Sequence, residues 1–172
     1  RNIKGRTTRR DDIVYLGSDT IKGFGANVSV GLNEVGKGQY ENFVELIKAL
    51  VENPNIDKSQ IEVMIRLDFF NSYGKRARLL KIYKLFNDVY TAKVFSKAKL
   101  PDIREDIIRK YSRETAKQYR DIDSVGLFNE LCSSIEDKDI SLKRQIKDKF
   151  EYQGVIDYIN PEGTIALMGV SE

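Results

Sequence analysis

With 172 residues, 41% hydrophobic and 32% charged side chains and a net charge of +3, the chain has the composition of a globular protein rather than a disordered or membrane one, and no apolar run approaches a bilayer span. No histidine is present, so histidine-based catalysis is excluded. A single cysteine, Cys132, excludes an internal disulfide and points to a reducing, cytoplasmic setting. The positive charge is concentrated: residues 1–10 carry five cations and no acid, and residues 71–110 hold eleven Lys/Arg against four Asp/Glu. Two basic segments in a nearly neutral chain fit a module that touches a polyanion on one side. The absence of an initiating methionine or signal-type start gives the expectation of an excerpt from a longer protein.

Residues 1–12 read as a basic polar arm. Ile13 to Leu16 is a short β-prone run, and Ser18 or Asp19 could cap a brief helix reaching Lys22. Next comes the most informative stretch, Thr20 to Leu32, where Gly23-Phe24-Gly25 separates apolar residues upstream from a helical apolar pattern downstream. It reads as a helix-hairpin-helix. The two glycines allow backbone angles and close approach denied to other residues, Phe24 plugs the turn into the core, and a helix begins at Ala26 or Asn27. Its unpaired N–H groups and positive dipole end, beside Lys22, suit a phosphate oxygen.

That helix closes at Gly36-Lys37-Gly38. Phe43, Leu46, Ile47 and Leu50 predict another from about Tyr40 to Val51, stopped by Asn53-Pro54-Asn55. Asp57 or Ser59 starts a third with Ile61, Met64, Ile65 and Phe69 on one face, and Asn71 to Gly74 breaks it before a longer basic helix bearing Leu79, Ile82, Tyr83 and Phe86. Residues 13–98 thus form one helix-hairpin-helix domain. Leu100-Pro101-Asp102 marks a joint into a helical connector over 99–150, with polar, loosely held residues at 112–124 and apolar faces at Gly126–Ile135 and Ile140–Phe150. Residues 151–172, with strands at Tyr152–Ile159 and Thr164–Met168 around an Asn160 to Gly163 turn, read as a β-hairpin. The fold class is mainly α, with a helix-hairpin-helix domain, a helical connector and a short C-terminal β-hairpin.

The order of these pieces resembles the α subunit of bacterial replicative DNA polymerase III, in the region where a tandem helix-hairpin-helix precedes an OB-fold. The residues that carry the likeness are Ile21-Lys22-Gly23-Phe24-Gly25, similar to the family's Ile-Lys-Gly-apolar-Gly; Gln39-Tyr40-Glu41-Asn42-Phe43; and the run from Asp57 to Ala77. The resemblance covers residues 13–90 and implies that the β-prone segment after Phe150 begins the OB-fold. Asp68-Phe69-Phe70-Asn71 departs from the family's Gly-Ala-Phe-Asp, which points to a second hairpin that serves packing. Asn27-Val28-Ser29 replaces a more charged helix start.

The resemblance implies duplex DNA binding through phosphates, in a non-catalytic part of a DNA-directed DNA polymerase. Its Mg2+ is implied in the catalytic region upstream, with no cofactor, catalytic residue or metal ligand expected in this segment. Lys22, Gly23, Phe24, Gly25, Ala26 and Asn27 are the expected contacts at the hairpin, and Lys75, Arg76 and Arg78 the contacts to the other strand. Asp121-Ile122-Asp123 and Asp137-Lys138-Asp139 have the spacing of a metal pair but sit in polar segments, so they read as turns and caps. Tyr40 and Tyr73, beside turns and bases, are the aromatic residues to watch. The hairpin carbonyls are also candidates for a potassium or sodium ion. An alternative reading is a protein-interaction module for a replication partner such as the sliding clamp or another polymerase III subunit, since Ser124-Val125-Gly126-Leu127-Phe128 ends like a clamp-binding pentapeptide. A third is the hairpin region of a repair nuclease or ligase, which usually repeats the Gly-apolar-Gly turn. No membrane partner is expected.

Overall fold

The computed structural model describes residues 21–154, as two compact units: one formed by residues 21–79 together with 138–154, the other by Leu80–Asp137. Among the described residues the chain is mainly helical, with seven α-helices and one small three-stranded antiparallel sheet. The basic arm, the Ile13 to Leu16 run and nearly all of the expected C-terminal β-hairpin lie outside the described residues.

In the first unit, α1 (Ala26–Gly36) packs on α2 (Phe43–Glu52). Gly31 permits the approach of the next turn, because a Cβ there would come within 2.7 Å of Asn53 Oδ1 and 2.9 Å of Ile56 Cγ1. Helix α2 starts three residues later than its apolar spacing predicts. The Asn42 side chain accepts from the Glu45 N–H at 3.0 Å and Glu45 Oε2 accepts from the Glu41 N–H at 2.7 Å, which fixes the start. Of the two starts the sequence offers, Asp57 and Ser59, helix α3 (Lys58–Arg66) takes Asp57 as its N-cap, with a full capping box to Gln60. Leu46, Ile47, Leu50, Ile61, Met64 and Ile65 are sealed from solvent, each worth roughly 1.5–3 kcal/mol of apolar burial. Phe43 adds rings at 6.0 Å from Phe70 and 6.1 Å from Tyr73.

A short 3-10 turn (Asn71–Tyr73) and Gly74 precede α4 (Arg76–Val89), along which the chain passes into the second unit. The remaining helix of the first unit, α7 (Leu142–Gln153), packs on α3 and ends at Gly154, whose φ of 75° is the left-handed cap that glycine favours. Tyr152 and Gln153, read from sequence as the first residues of a strand, are therefore helical. Ser141 caps a continuous turn sequence that runs to Gly154, and the helix overrides their β propensity.

The second unit holds the sheet. Strands β1 (Val94–Ser96), β2 (Arg113–Glu114) and β3 (Gln118–Arg120) lie in the order β1-β3-β2, and α5 (Glu105–Lys110) packs on α6 (Ser124–Ser133). The segment 112–124, expected to be loosely held, contains two of these strands, and the connector is not purely helical. Phe95 and Tyr119 pair across β1 and β3 and turn inward, while the Phe128 ring meets Phe86 at 6.1 Å and Tyr90 at 5.2 Å, both edge-on. Asp123 caps α6 by accepting from the Gly126 N–H, as its reading as a cap anticipates.

Candidate nucleic-acid interface

Ile21, Lys22, Gly23 and Phe24 form a turn closed by the Phe24 N–H donating to the Ile21 carbonyl at 3.1 Å. Gly23 has φ of 83°, the left-handed region where a side chain is strained. Phe24 follows and is buried, which pins the turn to the core. Gly25 is the N-cap of α1 in an ordinary extended conformation (φ −98°, ψ −170°). The sequence expectation that both glycines supply forbidden backbone angles thus holds for Gly23 alone. Gly25 matters for a different reason: a Cβ there would project into open space at the helix start.

The start of α1 is bare. No side chain caps it and no acid lies in its first turn. The Ser29 N–H returns to the Gly25 carbonyl at 3.3 Å, so the amides of Ala26, Asn27 and Val28 precede the first intrahelical bond. Gly23, Gly25, Ala26 and Asn27 are exposed and line an open cleft of about 450 Å³ with Val28, Pro54, Asn55, Asp57 and Gln60. Donors and a positive dipole end facing an open cleft form an arrangement that can receive an anion.

Lys22 is exposed and lines an adjoining cleft of about 360 Å³ with Gly23, Phe24 and Tyr152. Its backbone N–H donates to the Tyr152 carbonyl at 2.7 Å, and its stem lies against Gly154, so the end of α7 holds the turn. Across the first cleft the Gln60 side chain reaches the Gly23 carbonyl at 3.5 Å. Asp57 brings a negative charge to the same cleft. The Ser59 hydroxyl and then the Gln60 N–H hold its carboxyl below the usual aspartate value, so it is ionised at neutral pH and opposes an incoming anion. Asp57 and Gln60 are legible in sequence as a capping box, but nothing in sequence places that box against the glycine turn.

The other expected contacts separate in kind, and Lys75, Arg76 and Arg78 line neither cleft. Lys75 is exposed just before α4. Arg76 is directed to carboxylates: its Nε and Nη2 donate to Asp139 Oδ1 and Oδ2 at 2.8 and 2.9 Å, with Asp68 at 3.7 Å, and its side chain is only 13% exposed. A bidentate pair of this kind leaves the guanidinium little to offer a phosphate. Arg78 is half-buried, and its N–H donates to the Lys138 carbonyl at 3.3 Å. The Tyr73 hydroxyl donates to the Tyr40 carbonyl at 3.2 Å and that of Tyr40 to the Val35 carbonyl at 2.7 Å, so both tyrosines serve the fold. In the second unit Leu127 and Phe128, the apolar end of the clamp-like pentapeptide, are buried within α6.

Among the described residues no group of three or more His, Cys, Asp or Glu side chains could hold a metal ion, and no helix is long and apolar enough to cross a membrane. No family model, curated protein or solved structure matches the chain.

Proposed function

We propose that this chain binds double-stranded DNA without sequence preference, as a non-catalytic region of a DNA polymerase III α subunit acting in replication in the cytoplasm. The observation that carries the proposal is the uncapped, acid-free start of α1, presented to an open cleft by the Gly23 turn beside Lys22. The amides of Ala26 and Asn27 donate to one phosphate, Lys22 supplies charge, and Lys75 and Arg78 meet the other strand, with Arg76 left to hold Asp139. Such contacts position a duplex and carry no base information.

The test is binding of unrelated duplexes across a salt series. Affinity should be the same for each sequence, and log Kd should change with log salt at a slope near 0.9 per phosphate neutralised. Lys22→Ala with Lys75→Ala should flatten that slope by about two units. An unchanged slope, or a marked preference for one sequence, contradicts the proposal.

A further inference from the structure

An amphipathic helix on a globular unit turns its apolar stripe to the core, as α2 does with Phe43, Leu46, Ile47 and Leu50. Helix α7 is reversed. Its one fully buried side chain is a charged one, Asp148, and Arg144 stands one turn before it on the same side. Leu142, Ile146 and Phe150 recur at every fourth position, and Ile146 lies roughly 160° around the helix from Asp148. That apolar stripe therefore faces away from α3. Leu142 is 47% and Phe150 42% exposed, with Ile146 partly exposed between them.

Cations edge the stripe. Lys143 and Lys147 sit one turn apart on the flank next to Phe150, and both are exposed. Neither has an ion-pair partner among the described residues. The helix then ends at Gly154, whose left-handed backbone takes the chain off the helix axis. Next in sequence come residues 155–172, whose composition complements the stripe. Val155, Ile156, Tyr158 and Ile159 fall within five residues, and the segment holds three acids and no Lys or Arg.

We infer that the outward face of α7 is a docking face whose occupant is the chain's own segment 155–172. The tether decides between occupants. Gly154 to Leu142 is roughly 18 Å along the helix, a distance that about six extended residues span. A segment joined at Gly154 therefore reaches the whole stripe, and it meets the stripe at an effective concentration that a separate partner does not match. Asp157 and Glu162 bring opposite charge to Lys143 and Lys147. A second copy of α7 would set lysines against lysines, and a stripe of Leu142, Ile146 and Phe150 is small for a stable dimer or a lipid-bound helix. Docking of this segment does not depend on duplex binding.

The full chain holds no tryptophan, so Phe150→Trp places a single fluorescent reporter on the stripe. Leu142→Trp serves at the other end if the first variant fails to fold, and both replace exposed side chains. With the segment docked, the indole should emit at short wavelength and resist acrylamide quenching, equally at every protein concentration. Adding Ile156→Asp/Ile159→Asp should move emission and quenching to the values of the urea-unfolded chain, while the helical far-UV circular dichroism is retained. Lys143→Glu/Lys147→Glu should move them part of the way, because the reversed charge repels Asp157 and Glu162. An indole that emits like that of the unfolded chain while the segment is intact overturns the inference. Short-wavelength emission that persists with Ile156→Asp/Ile159→Asp overturns it too, since something else then covers the stripe. Emission that shortens only as protein concentration rises identifies a second copy, and emission that shortens only with anionic vesicles identifies a lipid surface; either result ends the claim.

Discussion

Arg66 on α3 and Asp148 on α7 are 82 residues apart in sequence, and Arg66 Nη1 lies 3.5 Å from Asp148 Oδ2. The Asp148 side chain is fully buried, and Arg144 Nε stands 2.9 Å from Oδ1 without the alignment of a hydrogen bond. Two cations therefore enclose one sealed carboxylate: Arg144 lies one turn away on α7 itself, and Arg66 ties α7 to α3. That docking matters because the end of α7 holds the Lys22–Gly23 turn through Tyr152.

Removing the carboxylate leaves two guanidinium groups around an empty buried site. Asp148→Ala should lower stability by about 3 kcal/mol, read as a shift of the urea midpoint. The double variant Arg66→Met/Asp148→Leu should recover most of that loss, since a well-packed apolar pair replaces a buried ion pair at little cost.

The two glycines of the turn should respond in opposite ways. Gly23→Ala forces a side chain to φ of 83° and should cost about 1–2 kcal/mol in stability. Gly25→Ala keeps an accessible conformation, costs about 1 kcal/mol or less, and places a methyl in the open space before the α1 amides. Thermal melts and duplex titrations side by side should show Gly23→Ala as the larger stability defect. Gly25→Ala should show as a binding defect in a folded protein.

Asp57→Asn removes a negative charge from the cleft and retains a side chain that caps α3 equally well. Duplex affinity should rise about two- to five-fold at low salt, the scale of one exposed charge, with little change in melting temperature. A fall in affinity would mean that the cleft does not receive phosphate.

The helical part of this architecture is legible in the sequence because each helix carries its own start and stop. Asp57 with Gln60, Asn53-Pro54-Asn55 and the stripe from Phe43 to Leu50 each specify local structure before any tertiary contact is made. The sheet is not legible, since β2 is two residues long and both are charged, too short for alternation to register. Tyr152 and Gln153 mislead because aromatic and β-branched neighbours suggest a strand, while the signal that governs them, the left-handed Gly154, lies after them. At the candidate site the turn itself can be read from Gly23-Phe24-Gly25. The capture of Arg76 by Asp139, 63 residues away, is a tertiary fact that no local pattern reports.

Acid should weaken the first unit through that same pair. The Arg76 hydrogen bonds hold the Asp139 carboxyl below its ordinary value, so its contribution to stability is full above the unfolded aspartate value and is lost as pH falls through the lower, folded one. Asp68, pushed upward by burial, acts in the opposite sense, its contribution declining as pH rises through its raised value. Asp139→Asn should therefore show a shallower loss of melting temperature on acidification below about pH 4 than the unmodified chain.

The most direct measurement is a titration of the isotope-labelled chain with a short duplex, following individual backbone amides by NMR. The amides of Ala26, Asn27 and Val28 should shift early and together, and the shifts should collapse in Gly25→Ala and at high salt. Duplex binding that leaves those three amides unmoved would contradict the proposal.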